Sequence, residues 1–479
     1  MNRTRSLHLL LFAVFLLLLP AVAGAQAAPT FHAWVDRLNQ PEAVDDALRD
    51  YVTENFHPTF LEQVPVPQAV GFLKQLRAAA PFSTVVLEEE TAHAVRAQMR
   101  ADNGSWFQAD FELHATERTI VGLLVQPSAG PQSTSISWKS LDDLAAHLRD
   151  TFDLPGLAIA VSRRDGEVEQ AVAGVREIGT ETAVESGDRF HIGSISKSVT
   201  ATVVAALVEA ERLSWDATLD QLLPGAAGSY ADVTLRTVLR HQARIPQHLT
   251  FDGAEMTRLN GLPGTTAEQR AAYVAEVLAL EPLEPGFAYS NAGYALAGHL
   301  AERAAGLSWE ELVREKVFGP LGLESCGVGW PATAERPDEP RGHYARGEGL
   351  AVQGLGEYRL GAFMGPAGNL HCSVLDLTRY GLAHLDGLRG KDGFLEAATV
   401  QELHRAPAET GAPYAAGWGI DPKTGLHRHN GSAGTFFSYL AIHPEKELVI
   451  TLLTNVGPDR GAAAAERLTS EILDAGNSP

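Results

Sequence analysis

The sequence predicts an α+β fold: an antiparallel sheet flanked by helices, with a large helical insertion, preceded by a small α+β domain. Three observations carry this reading. Residues 31–80 repeat apolar side chains at helical spacing, and 82–126 then turn to strand-like segments. Strand-like stretches recur at 157–173 and again at 414–454. Between those two groups, 195–420 consists mostly of helical patterns and loops rich in glycine and proline.

From the N-terminus, Arg3 and Arg5 precede an apolar stretch from Leu7 to Leu19, then Pro20 and the small residues Ala23-Gly24-Ala25. This is the pattern of a secretory signal cleaved near Ala25, and the apolar stretch is too short to span a bilayer. A secreted or periplasmic location follows, with no stable membrane insertion. Residues 26–127 form the small domain. Phe31, Trp34, Val35 and Leu38 share a helix face, Pro41 opens a run to Tyr51, and Val66–Ala79 repeats the pattern. Strands are expected over 82–90, 92–100, 105–115 and 118–126, with a hairpin turn at Asp102-Asn103-Gly104. Helices followed by a meander resemble the cone-shaped nuclear-transport-factor-like modules, which implies a structural or dimerising role.

Residues 128–137 lack periodicity and read as a linker to a domain spanning 138–479. Leu141, Leu144 and Leu148 mark an amphipathic helix. Strands follow at Leu157–Arg163 and Val168–Ala173, joined at Asp165-Gly166. Later strands are expected at 414–420, 425–430, 436–443 and 446–454, with a closing helix over 459–474. The net charge is −21, and −23 without residues 1–25, which hold two arginines and no acids. Such a balance disfavours nucleic acid and anionic lipid. Cys326 and Cys372 are the two cysteines, enough for one bridge whose geometry the sequence leaves open. No metal-ligand spacing is present, and no cofactor is implied.

Three motifs carry chemistry. In Ser194-Ile195-Ser196-Lys197, the serine and lysine are one helical turn apart, so the lysine can relay the proton that makes Ser194 a nucleophile. Glycine at 193 suits a tight turn into the helix, whose N-terminus favours a developing alkoxide. Tyr289-Ser290-Asn291 follows Glu284-Pro285-Gly286 on a loop. A lysine near Tyr289 is expected to lower the phenol's pKa, and Asn291 can hold the lysine while donating to a carbonyl. His429-Asn430-Gly431-Ser432 lies on an edge-like strand, where Gly431 permits close approach. The backbone N–H of Ser432 is expected to face that of Ser194 as an oxyanion hole. Lys423-Thr424-Gly425 reads as a hairpin turn, not as part of the site.

The order Ser-x-x-Lys, Tyr-x-Asn, His-x-Gly, at separations of 95 and 140 residues, resembles the serine β-lactamase and penicillin-binding-protein superfamily, closest to its class C-like serine hydrolases. Phe190-His191-Ile192-Gly193-Ser194, Glu209–Asp216, Val317–Leu323 and Gly368–Ser373 with Asp376 resemble family segments as well. The resemblance implies the β-lactamase/transpeptidase-like fold over 138 to about 475. It further implies Ser194, Lys197, Tyr289 and His429 as catalytic residues, and Asn291, Gly431 and Ser432 as substrate-binding ones. Two departures stand out. Arg240–Pro246 replaces the usual Thr-Ser-Gly-Leu-Pro stretch, so the cleft wall is expected to differ. Histidine at 429 stands where dedicated β-lactamases carry lysine, and a neutral imidazole is a weak holder of a carboxylate.

The expected activity is hydrolysis of an ester or amide in a small-molecule or peptide substrate: an esterase or amidase, a D-amino-acid peptidase, or a weak β-lactamase. The alternative is a penicillin-binding sensor or scaffold that is acylated with little turnover. Natural substrate and oligomeric state are not legible here.

Overall fold

The computed structural model describes residues 27–39, 45–79, 82–91, 93–101, 106–117, 119–128, 138–163, 167–247, 253–346, 349–356, 360–407 and 414–475. The signal segment, the turns at 102–104 and 165–166, and the linker beyond Ser128 lie outside these residues. The chain divides into two compact units, Met1–Ser137 with Ala462–Pro479, and Trp138–Gly461.

In the first unit, helices Ala28–Asn39, Asp45–Asn55, Pro58–Gln63 and Val66–Ala79 precede a four-stranded meander. Its strands are β1 (Phe82–Glu90), β2 (Ala94–Ala101), β3 (Trp106–Leu113) and β4 (Ile120–Ser128), paired in that order. Along β3 the side chains of Phe107, Ala109, Phe111 and Leu113 are buried, the period-2 pattern of a sheet with one covered face. Phe111 meets Phe31 and Trp34 of the first helix, at ring separations of 5.4 and 5.9 Å.

The second unit contains β5 (Gly156–Ser162), β6 (Val168–Gly174), β7 (Phe190–His191), β8 (Gly327–Val328), β9 (His343–Arg346), β10 (Gly349–Val352), β11 (Leu370–Cys372), β12 (Gly419–Ile420), β13 (His427–Ser432), β14 (Phe437–His443) and β15 (Leu448–Thr454). Six form one antiparallel sheet in the order β12-β13-β14-β15-β5-β6. Every residue of β5, β14 and β15 is buried, which is why these strands read as continuous apolar runs. Helices Leu141–Thr151 and Val374–Leu388 pack against this sheet. Between β7 and β11 the chain is mostly helices and loops, as expected from its glycine and proline content, with the short strands β8, β9 and β10 among them.

Two sequence expectations are corrected. The strand anticipated over 414–420 shrinks to Gly419–Ile420, because Gly417 takes φ +81° in a tight turn where Ala415 N–H bonds the Trp418 carbonyl (2.8 Å). A Cβ on Gly417 would lie 2.6 Å from Ser198 Cα, so the turn is pressed against the helix that begins at Ser196. Besides the main sheet there is a three-stranded one, β7-β11-β8, whose strands are too short to show alternation. Cys326, just before β8, is bridged to Cys372 at the end of β11 (S–S 2.02 Å). Among the described residues no helix is long and apolar enough to cross a membrane.

Behind the sheet's β13 end runs a file of histidines. Thr202 Oγ1 meets His384 Nε2 (3.3 Å), His384 Nδ1 meets His404 Nε2 (3.0 Å), and His404 Nδ1 meets His427 Nδ1 (3.0 Å). The Trp418 ring stacks on His404 at 4.5 Å. A nitrogen-to-nitrogen contact holds one proton, so each protonation of the file breaks a bond. Burial pushes His384 down to about 3 and His404 well below the histidine range. It pushes His427 to about 4, with His443 adding to the effect.

The unfolded chain takes up these protons near pH ~6.5, so between that value and the folded pKa values the unfolded state binds more protons. Stability is therefore complete above pH ~6.5 and falls steadily as pH drops toward ~4. We expect the urea midpoint of unfolding to decline across that window; a midpoint constant from neutrality to pH ~4 would contradict the neutral file.

Candidate active site

The nucleophile turn begins where β7 ends. Gly193 has φ +46°, a one-turn 3₁₀ segment Gly193–Ile195 follows, and the helix Ser196–Glu209 continues from it. Only glycine fits at 193, since a Cβ there would lie 2.3 Å from Ser432 N. His191 Nδ1 accepts from Gly193 N–H (3.2 Å), so its proton sits on Nε2 and points to Asn369 Oδ1 (3.2 Å). Burial holds His191 neutral, with its pKa down to about 4. Trp330 stacks on the ring at 4.5 Å. Ser196 Oγ donates to the Gly193 carbonyl (2.7 Å) and accepts from Leu370 N–H (3.2 Å), which laces the turn to the 366–371 stretch.

Lys197 is fully buried beneath the half-buried Ser194. Its Nζ lies 3.0 Å from Ser194 Oγ, 2.7 Å from Asn291 Oδ1 and 2.7 Å from the Ala367 carbonyl. Burial lowers its pKa well below the ordinary lysine value. In the neutral amine two N–H bonds serve the two carbonyl oxygens, which accept only. The lone pair then faces Ser194, whose hydroxyl can donate to it.

In the Tyr-x-Asn motif the middle residue is a helix cap. Ser290 Oγ accepts from Gly293 N–H (3.0 Å) at the start of helix Asn291–Ala305, and Ser290 N–H donates to His241 Nδ1 (3.0 Å). Capping leaves Asn291 on Lys197, and Tyr289 with its ring centroid 4.8 Å from Nζ and its phenol in hydrogen-bond contact with Ser194. The expected fall in the Tyr289 pKa does not occur. Burial raises it, outweighing the Ser194 contact.

His429 lies on β13, as the motif required. Its Nδ1 donates to the Asn430 carbonyl (2.6 Å), so Nε2 accepts from the Tyr414 hydroxyl (2.9 Å). Burial takes its pKa down to about 3. Both ring nitrogens are thus used within the protein, and the imidazole acts on the site through Tyr414 and the strand. Gly431 is pressed against the nucleophile turn: a Cβ there would lie 2.0 Å from the Ile192 carbonyl oxygen and 2.7 Å from Ser194 N. Ser432 Oγ is turned away, donating to the Phe436 carbonyl (2.7 Å), so at 432 it is backbone that borders the turn.

Four residues beside the motifs join the site; His191, in the Phe190–Ser194 segment, was named from sequence, and the other three were not singled out. His241 stands 4.3 Å from the Tyr289 ring and 4.7 Å from that of Tyr414. Tyr414, His191 and the Ala367 carbonyl complete the set. The only signal was that His241 falls in the divergent Arg240–Pro246 stretch and Ala367 precedes Gly368–Ser373. Lys423 sits in the β12–β13 turn, as read. In the first unit His57, His114 and Glu117 bring ligand-type atoms within 4.8 Å of one another. Both histidines, however, use Nδ1 to accept backbone N–H groups, from Thr59 and Glu117. Their protons therefore sit on Nε2, and the group caps local structure instead of offering lone pairs to a metal.

A family model described as Beta-lactamase matches residues 141–473, and one described as ORF 12 gene product N-terminal matches 26–117. Penicillin-binding protein 4 of Amycolatopsis lactamdurans is 30% identical, over 65% of this chain and 85% of its own. The octameric penicillin-binding protein homologue from Pyrococcus abyssi has TM-score 0.58 and 26% identity, covering 69% of this chain and 75% of that one. The D-amino acid amidase from Ochrobactrum anthropi SV3 shares the fold, with TM-score 0.58, 20% identity and coverage of 70% and 99%.

The contact between β13 and the nucleophile turn gives a test. Gly431→Ala must force the two backbones apart, since the added methyl meets backbone atoms and not a yielding side chain. We expect kcat/KM to fall by about 100-fold, the scale of a lost oxyanion donor. The far-UV circular dichroism, measured on the same sample, should stay close to the parent's, while the urea midpoint should fall because the contact is overpacked. Full activity would refute the close approach.

Proposed function

The chain belongs to the beta-lactamase family of serine hydrolases, and on that premise we propose that it cleaves an ester or amide through an acyl-enzyme on Ser194. The observation that carries the reading is the buried Lys197 amine, held by two carbonyl oxygens and 3.0 Å from Ser194 Oγ, where its deprotonated form can accept the serine proton. Lys197 takes the Ser194 proton as Oγ attacks the carbonyl carbon. The negative oxygen is met by the N–H groups of Ser194 and Ser432. Tyr289, neutral and touching Ser194, passes a proton to the leaving group as it departs and is refilled from Lys197. Water then attacks the acyl carbon, the Tyr289–Lys197 pair takes its proton and returns it to Ser194 Oγ as the acyl–oxygen bond breaks, and the acid product leaves.

Asn291 fixes Lys197, and its amide N–H is free in chemical type to meet the substrate carbonyl side. His429 supports an esterase or amidase over enzymes that grip a substrate carboxylate, because its nitrogens are already engaged and it is neutral. Peptides of D-amino acids and β-lactams follow in that order. Secretion is supported by Arg3, Arg5 and the Leu7–Leu19 stretch, and by a disulfide, which persists in oxidising compartments. The penicillin-binding relative favours a second reading, acylation by β-lactams with slow release. Steady turnover of an ester distinguishes the two, since a sensor would give one burst.

Two outcomes are expected. A fluorophosphonate probe should label the purified protein at Ser194, and Ser194→Ala should abolish the labelling; persistent labelling of that variant would remove the assignment. With a neutral ester, kcat/KM should fall as pH falls through the Lys197 pKa, because the protonated amine cannot accept the serine proton. That limb lies well below the ordinary lysine value of ~10.4, and the plateau extends to pH ~10 because burial holds Tyr289 protonated. A profile that rises only above pH ~10 would mean that Lys197 is an ordinary ammonium.

A further inference from the structure

Exposed apolar side chains stand beside the site, on a protein whose net charge is −21. Among the described residues five large apolar side chains are exposed, Leu283, Phe287, Leu307, Tyr344 and Leu355. Singly such residues need no explanation, but Leu283 and Phe287 share the loop that leads into Tyr289, and Tyr344 and Leu355 lie on and just after a hairpin tied to Thr435, three residues past Ser432.

Phe287 is 47% exposed on the loop that leads into Tyr289. Its ring lies 5.9 Å from His241 and 6.0 Å from Tyr414, and those rings stand 4.3 and 6.2 Å from Tyr289. The loop is pinned to the same wall, with Ala288 N–H on the His241 carbonyl and Leu283 N–H on the Arg244 carbonyl, both 2.8 Å. A second element with exposed apolar side chains is the β9–β10 hairpin. Its root is tied just beyond Ser432, with His343 N–H donating to the Thr435 carbonyl (3.1 Å) and Thr435 Oγ1 to Gln353 Oε1 (2.5 Å). Tyr344 projects from that root, and Leu355 follows Gln353 by two residues. Beside Phe287 the wall is made of the rings of Tyr289, Tyr414 and His241, and burial shifts the pKa of each toward its neutral form. An ionised substrate group set among them would lose hydration with nothing to replace it.

We infer that the substrate carries a bulky apolar group, aliphatic or aromatic, beside its scissile ester or amide, and that Phe287 and Tyr344 cover that group. The inference rests on Ser194 forming the acyl-enzyme. It selects, within that reading, for neutral hydrophobic acyl substrates over small or carboxylate-bearing ones.

The test uses the purified full chain and three p-nitrophenyl esters: acetate, octanoate, and hemisuberate, the eight-carbon analogue that ends in a carboxylate. Octanoate should exceed both others in kcat/KM by at least about tenfold, since its added methylenes leave water and a charged end resists that transfer. Phe287→Ala and Tyr344→Ala alter exposed side chains and should each lower the octanoate-to-acetate ratio by about threefold or more. An octanoate rate no better than acetate, a hemisuberate rate equal to octanoate, or a ratio unmoved in both variants would overturn the inference. Ser194→Ala separates the two levels. Hydrolysis that persists in that variant would remove the acyl-enzyme reading and this inference together. A flat ester profile that Ser194→Ala abolishes would remove only the apolar group.

Discussion

Lys197 is completely buried, and its three partners are a hydroxyl and two carbonyl oxygens, with no carboxylate among them. An ammonium in that place loses its hydration without gaining a counter-charge, so burial lowers the amine's pKa well below the ordinary lysine value. The surrounding site is consistent with that shift. The phenol of Tyr289 stays protonated because burial disfavours its anion, and His241, His429 and His191 are each driven toward neutrality by the same dry surroundings. Protons can then be exchanged among Ser194, Lys197 and Tyr289 without a buried charge having to be created at rest. Charge appears only as the carbonyl is attacked, where backbone N–H groups wait for it.

Holding such a group needs a frame that does not relax to admit water. Four stretches far apart in the chain supply it: 191–197, 289–291, 366–371 and 414–432. They are joined backbone to backbone, or by short hydroxyl bridges such as Ser196 to Gly193 and Leu370, and Thr200 to the Pro366 carbonyl (2.8 Å). Ser438 Oγ adds a bond to the Ile192 carbonyl (2.8 Å), tying β14 to the turn across β13. Glycines at 193, 417 and 431 sit where these stretches touch, and each contact is too close for a Cβ. The absence of side chains at those points is what brings strand, turn and helix into register.

Much of this was legible from sequence because it obeys local rules. Ser194 and Lys197 share a helix face by spacing alone, the long apolar runs of β14 and β15 announce strands, and Glu284-Pro285-Gly286 marks the loop before Tyr289. What escaped depended on contacts across the fold. Tyr414 reaches His429 only because the Gly417 turn replaces an anticipated strand. His241 was hidden in a stretch that merely looked divergent, and it takes φ +57°, a backbone state that no side-chain pattern reveals. The direction of the Tyr289 shift was misjudged for the same reason. Sequence places a lysine nearby, but only burial decides whether that lysine carries a charge.

The bridge between Cys326 and Cys372 has a consequence for how this chain is made. These are its only two cysteines, so the thiols have a single intramolecular pairing and no wrong one to be rescued from. Maturation of the second unit therefore calls for an oxidant but not for an isomerase, and material produced in a reducing cytosol can be completed afterwards by simple exposure to a disulfide donor.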